Sequence, residues 1–195
     1  MDVFEAIQSR RSVRKYKPHS IPSEDLHRIL EAARLAPSAG NRQPWRFILV
    51  RGAEKKRTLA EVANNQTFLA DAYVIVVAAA DPEVSERWCD RDTMIAVEHM
   101  VLAATALGYG TCWIGAFNEE NVKNLLEIPT KLRVVALVPI GKPDETPNPR
   151  PRKEISEIFF EEEYGNPLRR GYTQWQDRVV PQQLKRETLS NTTDY

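Results

Sequence analysis

Apolar positions along the chain alternate between helical and strand-like spacing. Val3, Phe4 and Ile7 share one face of a short helix predicted over Val3–Ser9. Ile21-Pro22-Ser23 reads as a helix start, with Ser23 able to cap and Glu24 and Asp25 suited to the first turn. Leu26, Ile29, Leu30, Ala33, Leu35 and Ala36 then keep helical spacing up to Pro37. Trp45–Val50 is a predicted strand held between Pro44 and Gly52, and 54–64 a helix. Residues 72–80 form a continuous, valine-rich apolar run, the pattern of a strand buried on both faces. A long helix over 92–107 is apolar nearly all round, which predicts cover on more than one side and makes a dimer interface a natural explanation. His99 on that helix reads as a satisfied core or interface histidine. Gly108 ends it. An extended segment over 111–117, a helix over 119–127 and a buried strand over 132–140 complete the pattern.

The spacing of these elements lacks the regular alternation of a doubly wound fold, so the expectation is α+β or a three-layer α/β sandwich. Residues 1–160 form the expected domain. Residues 161–195 are a polar tail, with Glu161-Glu162-Glu163 and scattered Trp175, Val179 and Val180, too poor in apolar surface for a core of its own, and expected either to wrap a partner subunit or to stay mobile.

Composition narrows the function classes. The 195 residues carry a formal net charge of zero, without the basic excess of a nucleic-acid binder. No apolar stretch is long enough to span a membrane, and no leader segment opens the chain, so the expected location is cytoplasmic. Cys89 and Cys112 lack C-x-x-C spacing, and His19, His27 and His99 form no ligand pair, which predicts reduced thiols and no metal site.

The charges are unevenly placed. Arg10, Ser12 and Arg14 alternate along a segment leaving the first helix, beside Arg11. In an extended chain such positions share a face, and two guanidinium forks with a hydroxyl between them suit a phosphate. Pro149-Arg150-Pro151-Arg152 presents two more cations on a stiff segment, so one phosphate shared by both clusters accounts for both. Pro37-Ser38-Ala39-Gly40-Asn41 offers small and amide residues that let backbone approach a flat ligand, although the same residues also make a good turn. Gly108-x-Gly110 with Gly115 follows a helix and precedes a strand, the reverse of a dinucleotide fingerprint. Neither a phosphate-binding G-x-x-x-x-G-K-[ST] loop nor a G-x-S-x-G nucleophile motif is present.

Taken in order, Arg10-Arg11-Ser12-x-Arg14, Pro37-Ser38-x-x-Asn41-x-Gln43-Pro44-Trp45, Gly108-x-Gly110-Thr111-Cys112-Trp113-Ile114-Gly115 and Pro139-Ile140-Gly141-Lys142-Pro143 resemble the FMN-dependent nitroreductase family over about residues 1–160. The resemblance implies an α+β sandwich, a central, mostly antiparallel sheet flanked by helices, in an intertwined homodimer with FMN at the interface. It places Arg10, Arg11, Ser12, Arg14, Arg150 and Arg152 at the FMN phosphate. Pro37, Ser38, Ala39 and Asn41 reach the flavin of the other subunit, Ile114, Gly115 and Ala116 line the isoalloxazine, and Asn65 matches a flavin-contacting asparagine. The implied chemistry is ping-pong hydride transfer from NAD(P)H through flavin N5 to a nitroaromatic, quinone or similar acceptor, with no catalytic side chain required. The short segment after residue 80 argues against the dehalogenase branch, whose lid grips an amino-acid substrate. The same binding residues also serve a non-catalytic flavin carrier or redox sensor, and a flavin-free, anion-binding structural protein is a third reading.

Overall fold

A computed structural model describes residues 1–168. Met1–Asn148 forms one compact unit, and the chain from Pro149 onward a second. The first unit contains α1 (Val3–Ser9), β1 (Tyr16–Lys17), α2 (Ser23–Arg34), β2 (Trp45–Val50), α3 (Ala53–Val62), β3 (Val74–Ala80), α4 (Cys89–Ala106), β4 (Gly110–Thr111), α5 (Glu119–Leu126) and β5 (Arg133–Pro143). Short 3₁₀ turns lie at Ala39–Asn41 and Thr67–Asp71.

The strands form a five-stranded antiparallel sheet in the order β1-β5-β3-β2, with β4 also paired to β5. Every residue of β3 is buried, because helices cover both of its faces. On one face Val74, Val76, Ala78, Ala136, Val138 and Ile140 pack against Leu26, Ile29 and Ala33 of α2 and Ala96, Val97, Met100 and Val101 of α4. On the other, Ile75, Val77, Ala79 and Leu137 meet Leu59 of α3, Leu69 and Val122 of α5. This is the expected three-layer sandwich with an antiparallel sheet. A bulge between Ala78 and Ala79 sets Val134 and Ala136 on opposite faces, although two residues apart they would otherwise share one.

Several expectations need correction. Pro22, not Ser23, is the N-cap of α2, and no side chain caps this end. The long helix begins at Cys89 rather than at 92, since Ser85 accepts backbone bonds from Trp88 and Cys89 and starts the turn early. The predicted extended segment over 111–117 is a strand only at Gly110–Thr111, then a single bridge from Ile114 to Leu137. The apolar face of α1 points outward: Val3, Phe4 and Ile7 are 59%, 64% and 52% exposed, while Ala6 is the buried residue. Met94 and Ile95 of α4 are also exposed. The second side of α4 is therefore left open in a single chain.

In the second unit, α6 (Ile155–Ile158) carries a capping box between Glu154 and Glu157. Phe160 bridges Pro167, and its ring lies 4.7 Å from that of Tyr164. Trp175, Val179 and Val180, and the expected tail from residue 169 on, lie outside the described residues. Among the described residues no helix is long and apolar enough to cross a membrane, and no cluster of side chains could hold a metal ion.

Candidate functional site

After α1 the chain runs extended beside β4. Ser12 bridges Thr111 in parallel, and the Val13 N–H donates to the Thr111 carbonyl at 2.9 Å. Val13 turns into the core, so its neighbours Ser12 and Arg14 turn the other way. Two glycines allow this segment to lie so close. A Cβ on Gly110 would meet Val13 side-chain atoms at 2.9 Å, and one on Gly141 would meet Tyr16 at 2.8 Å. The Tyr16 hydroxyl donates to the Val13 carbonyl at 2.7 Å and fixes the turn. Burial pushes that phenol's pKa up, with Cys112 and Glu145 adding to the effect.

Cys112 lies directly under the basic segment. Burial raises its thiol pKa, and this is opposed by the Arg14 charge, a hydrogen bond from Ser12 and the Arg10 charge. Arg10, Ser12 and Arg14 thus all act on the Cys112 thiol, as does the Glu145 carboxylate, and the Arg14 guanidinium donates to the Ser12 carbonyl at 3.4 Å. Neither Arg10 nor Arg14 forms a salt bridge among the described residues. The Arg11 guanidinium donates to the carbonyls of Gln8 at 2.7 Å and Arg10 at 2.9 Å, closing the C-terminal end of α1. Glu145, absent from the sequence expectation, accepts from the Arg14 N–H at 2.5 Å.

The loop that follows α2 is held by a buried acid. Asp92, in the first turn of α4, accepts from the Ala39 N–H at 3.1 Å. The Ser38 hydroxyl accepts from the Gln43 N–H at 3.0 Å, and the Asn41 carbonyl accepts from the Gln43 side chain at 3.1 Å. Gly40, Asn41 and Gln43 all have positive φ, which turns the loop sharply and explains its glycine and amide content. Pro37 and Asn41 are exposed at its tip, with Ser38 and Ala39 half-buried. The loop and the basic segment belong to opposite ends of α4: Asp92 opens the helix, and β4 follows its end at Gly108. At 1.5 Å per residue this helix is about 27 Å long.

A third group lies beyond β4. Ile114 is buried and exchanges both backbone bonds with Leu137 at 3.0 Å. Gly115 and Ala116 are exposed, and a Cβ on Gly115 would find no atom within 4 Å. The N–H groups of Gly115 and Ala116 donate to no protein acceptor among the described residues. The Gln66 side chain donates to the Ala116 carbonyl at 3.1 Å, which brings the turn containing Asn65 to this segment. Asn65 itself is exposed with φ of 55°. Gln66 was not foreseen, but the adjacent Asn64 and Asn65, both left-handed, are the type of sequence that marks such a turn. Arg150 and Arg152 lie exposed in the second unit, where the Arg152 guanidinium donates to the Arg150 carbonyl at 3.4 Å.

The model of the nitroreductase family matches residues 7–67 and 57–142, which include the basic segment, the Ser38 loop and the 114–116 backbone. The chain belongs to the nitroreductase family. A relative from Archaeoglobus fulgidus, described as a putative NADH dehydrogenase/NAD(P)H nitroreductase, is 38% identical over 74% of this chain and 87% of its own. A second of the same description, from Methanothermobacter thermautotrophicus, is 34% identical over 83% of this chain and 87% of its own. A solved structure from Clostridium difficile R20291, described as an FMN-dependent nitroreductase, superposes with a TM-score of 0.74 at 29% identity, covering 84% of this chain and all of the other. As a nitroreductase-family sheet, β1-β5-β3-β2 carries the three groups at its edges and leaves its centre as packed core.

Proposed function

We infer that the protein is an FMN-dependent oxidoreductase that draws hydride from NAD(P)H and reduces a nitroaromatic, a quinone or a similar small acceptor. The observation that carries this is the face that Ser12 and Arg14 share opposite buried Val13, with Arg10 beside them and neither arginine in a salt bridge among the described residues, in a chain of this family. Two guanidinium groups and a hydroxyl on one face fit a phosphate monoester. The open backbone at Gly115 fits a flat ring, since no side chain fills that space. When bound, FMN supplies the hydride chemistry; the chain supplies binding and orientation.

In this reading Arg10, Ser12 and Arg14 hold the phosphate. Arg11 acts indirectly, by fixing the end of α1. The free N–H groups at Gly115 and Ala116 face the ring and stabilise charge that develops on it. Asn65 contributes from the adjacent turn. Pro37, Ser38, Ala39 and Asn41 complete the site from a second copy, because one chain holds this loop and the basic segment at opposite ends of α4. The exposed Val3, Phe4, Ile7, Met94 and Ile95 are the surface that a homodimer covers. Both cysteines are free, in keeping with a reducing compartment such as the cytoplasm.

The dimeric site is tested with Phe4→Glu, which puts a charge on an exposed apolar face and leaves the protomer core untouched. The expected outcome is a folded monomer by light scattering that releases FMN. A verified monomer that keeps its full flavin refutes the shared site.

A further inference from the structure

The short connection between β3 and α4 ends in an exposed cluster that the proposed function leaves unused. Trp88 is 38% exposed, with the Arg87 guanidinium carbon 5.0 Å and the Arg91 guanidinium carbon 5.1 Å from its ring centre. Arg87 lies in the turn before α4 and Arg91 in its first turn, and the Arg91 guanidinium donates to the Arg87 carbonyl at 3.4 Å. Two like charges at this spacing repel, and cations at the start of a helix oppose its dipole. The cluster is therefore not there to stabilise α4.

Nearby acids do not neutralise it. Asp90 is engaged by Arg133 at 3.1 Å, Asp92 by the Ala39 N–H at 3.1 Å, and Glu83 by Lys131 at 2.5 Å. Glu86 precedes Arg87, and its carboxylate bonds neither arginine among the described residues. What remains is a pair of exposed guanidinium groups held against one indole, the Arg91 group sharing one of its donors with the Arg87 carbonyl. That arrangement suits one doubly charged anion, since stacking on the ring removes freedom that binding would otherwise have to remove.

Its position matters as much as its charge. The Trp88 carbonyl accepts from the Asp92 N–H at 2.9 Å, and the Asp92 carboxylate holds the Ala39 N–H. The cluster is thus one helical turn from the anchor of the loop assigned to the flavin. We propose that Arg87, Trp88 and Arg91 bind the 2′-phosphate of NADPH and make this protein prefer the phosphorylated nucleotide to NADH. The inference rests on the FMN and NAD(P)H reading above. A phosphomonoester fits better than a carboxylate because it offers both guanidinium forks a pair of oxygens.

The test is calorimetric binding of adenosine 2′,5′-bisphosphate and of adenosine 5′-monophosphate to the FMN-loaded protein. It is repeated with Arg87→Ala/Arg91→Ala and with Trp88→Leu, and flavin content is measured in each. The expected result is tighter binding of the bisphosphate by the unaltered protein, with at least about a tenfold loss of that advantage in the double variant. The NADPH to NADH ratio of kcat/KM falls by a similar factor, and Trp88→Leu gives a smaller loss. Equal binding of the two nucleotides, or an advantage that survives the double variant, overturns the proposal. So does dissociation of the dimer by the double variant, which assigns the cluster to a subunit interface. A protein that retains flavin and is reduced equally by NADH and NADPH fails this inference alone. One that retains no flavin fails the underlying reading as well.

Discussion

Gly110→Ala probes how the phosphate-binding segment is seated. The new Cβ would stand 2.9 Å from three side-chain carbons of Val13. Carbon atoms in good contact sit about 3.5–4.0 Å apart, so the segment must retreat by more than half an ångström. Overpacking of this kind costs about 1–3 kcal/mol. Replacing glycine returns about 0.5–1 kcal/mol of chain entropy. The net loss is at most about 2.5 kcal/mol, and each kcal/mol lowers Tm by about 2–4 °C in a domain of this size. Because Val13 lies between Ser12 and Arg14, the same retreat moves the phosphate donors, and FMN affinity falls by at least about tenfold, the value of one charge-assisted contact. Val13→Ala removes two of the three obstructing carbons and leaves the third. The double variant is therefore more stable than the sum of its single changes by about 1 kcal/mol. Thermal unfolding and quenching of FMN fluorescence measure both quantities. Additive stabilities, together with an unchanged FMN affinity in Gly110→Ala, refute the claim that this close approach positions the site.

Other consequences are independent of that contact. Arg14→Ala weakens FMN binding by about 1.5–3 kcal/mol, whereas Glu145→Gln, which removes a carboxylate from beside the Arg14 N–H, tightens it by several-fold; equal effects of the same sign in fluorescence titrations would refute the phosphate assignment. Thr93→Val removes a fully buried hydroxyl that has no hydrogen-bond partner among the described residues, and raises stability by about 1 kcal/mol in denaturant unfolding; a loss of similar size means that the hydroxyl is satisfied in the dimer. Burial acts to raise the Glu119 pKa, but Lys123 and the Val134 N–H outweigh it and hold the carboxyl below its usual range. Its stabilising contribution is therefore present above the unfolded pKa and disappears as pH falls through the folded one. Glu119→Gln should cost less than about 1 kcal/mol at pH 7, since the side chain is 43% exposed, and the difference from the unaltered protein should vanish in acid; a difference that grows on acidification contradicts the sign.

The parts of the fold legible in the sequence are those whose pattern is local. Val3–Ser9 and Trp45–Val50 match their predicted limits, because Asp2 caps the first and Pro44 and Gly52 bound the second. The buried run of β3 declares itself by composition alone. Features made by distant pairing were not legible. β1 is two residues long and exists only through Pro143 and Lys142, and the bulge beside Ala78 depends on β5. The outward face of α1 could not be told from a core face, since periodicity states which residues share a side and not what covers them. The site divides in the same way. The alternation that turns Ser12 and Arg14 away from buried Val13 was legible, and glycine and amide residues foretold the turn after Ser38. Charge alone does not reveal that the Arg11 side chain also folds back onto α1. Asp92, Gln66 and Glu145 reach the site across 53, 50 and 131 residues of sequence, and no local pattern marks them.

The central claim is tested most directly by the absorbance spectrum of the purified protein with FMN, recorded before and after anaerobic addition of NADH or NADPH. The expected result is bound-flavin bands that bleach with a pyridine nucleotide and return on adding a quinone or nitroaromatic. Bound flavin that neither nucleotide reduces would make the protein a carrier or sensor, and failure to bind FMN at all would contradict the site described here.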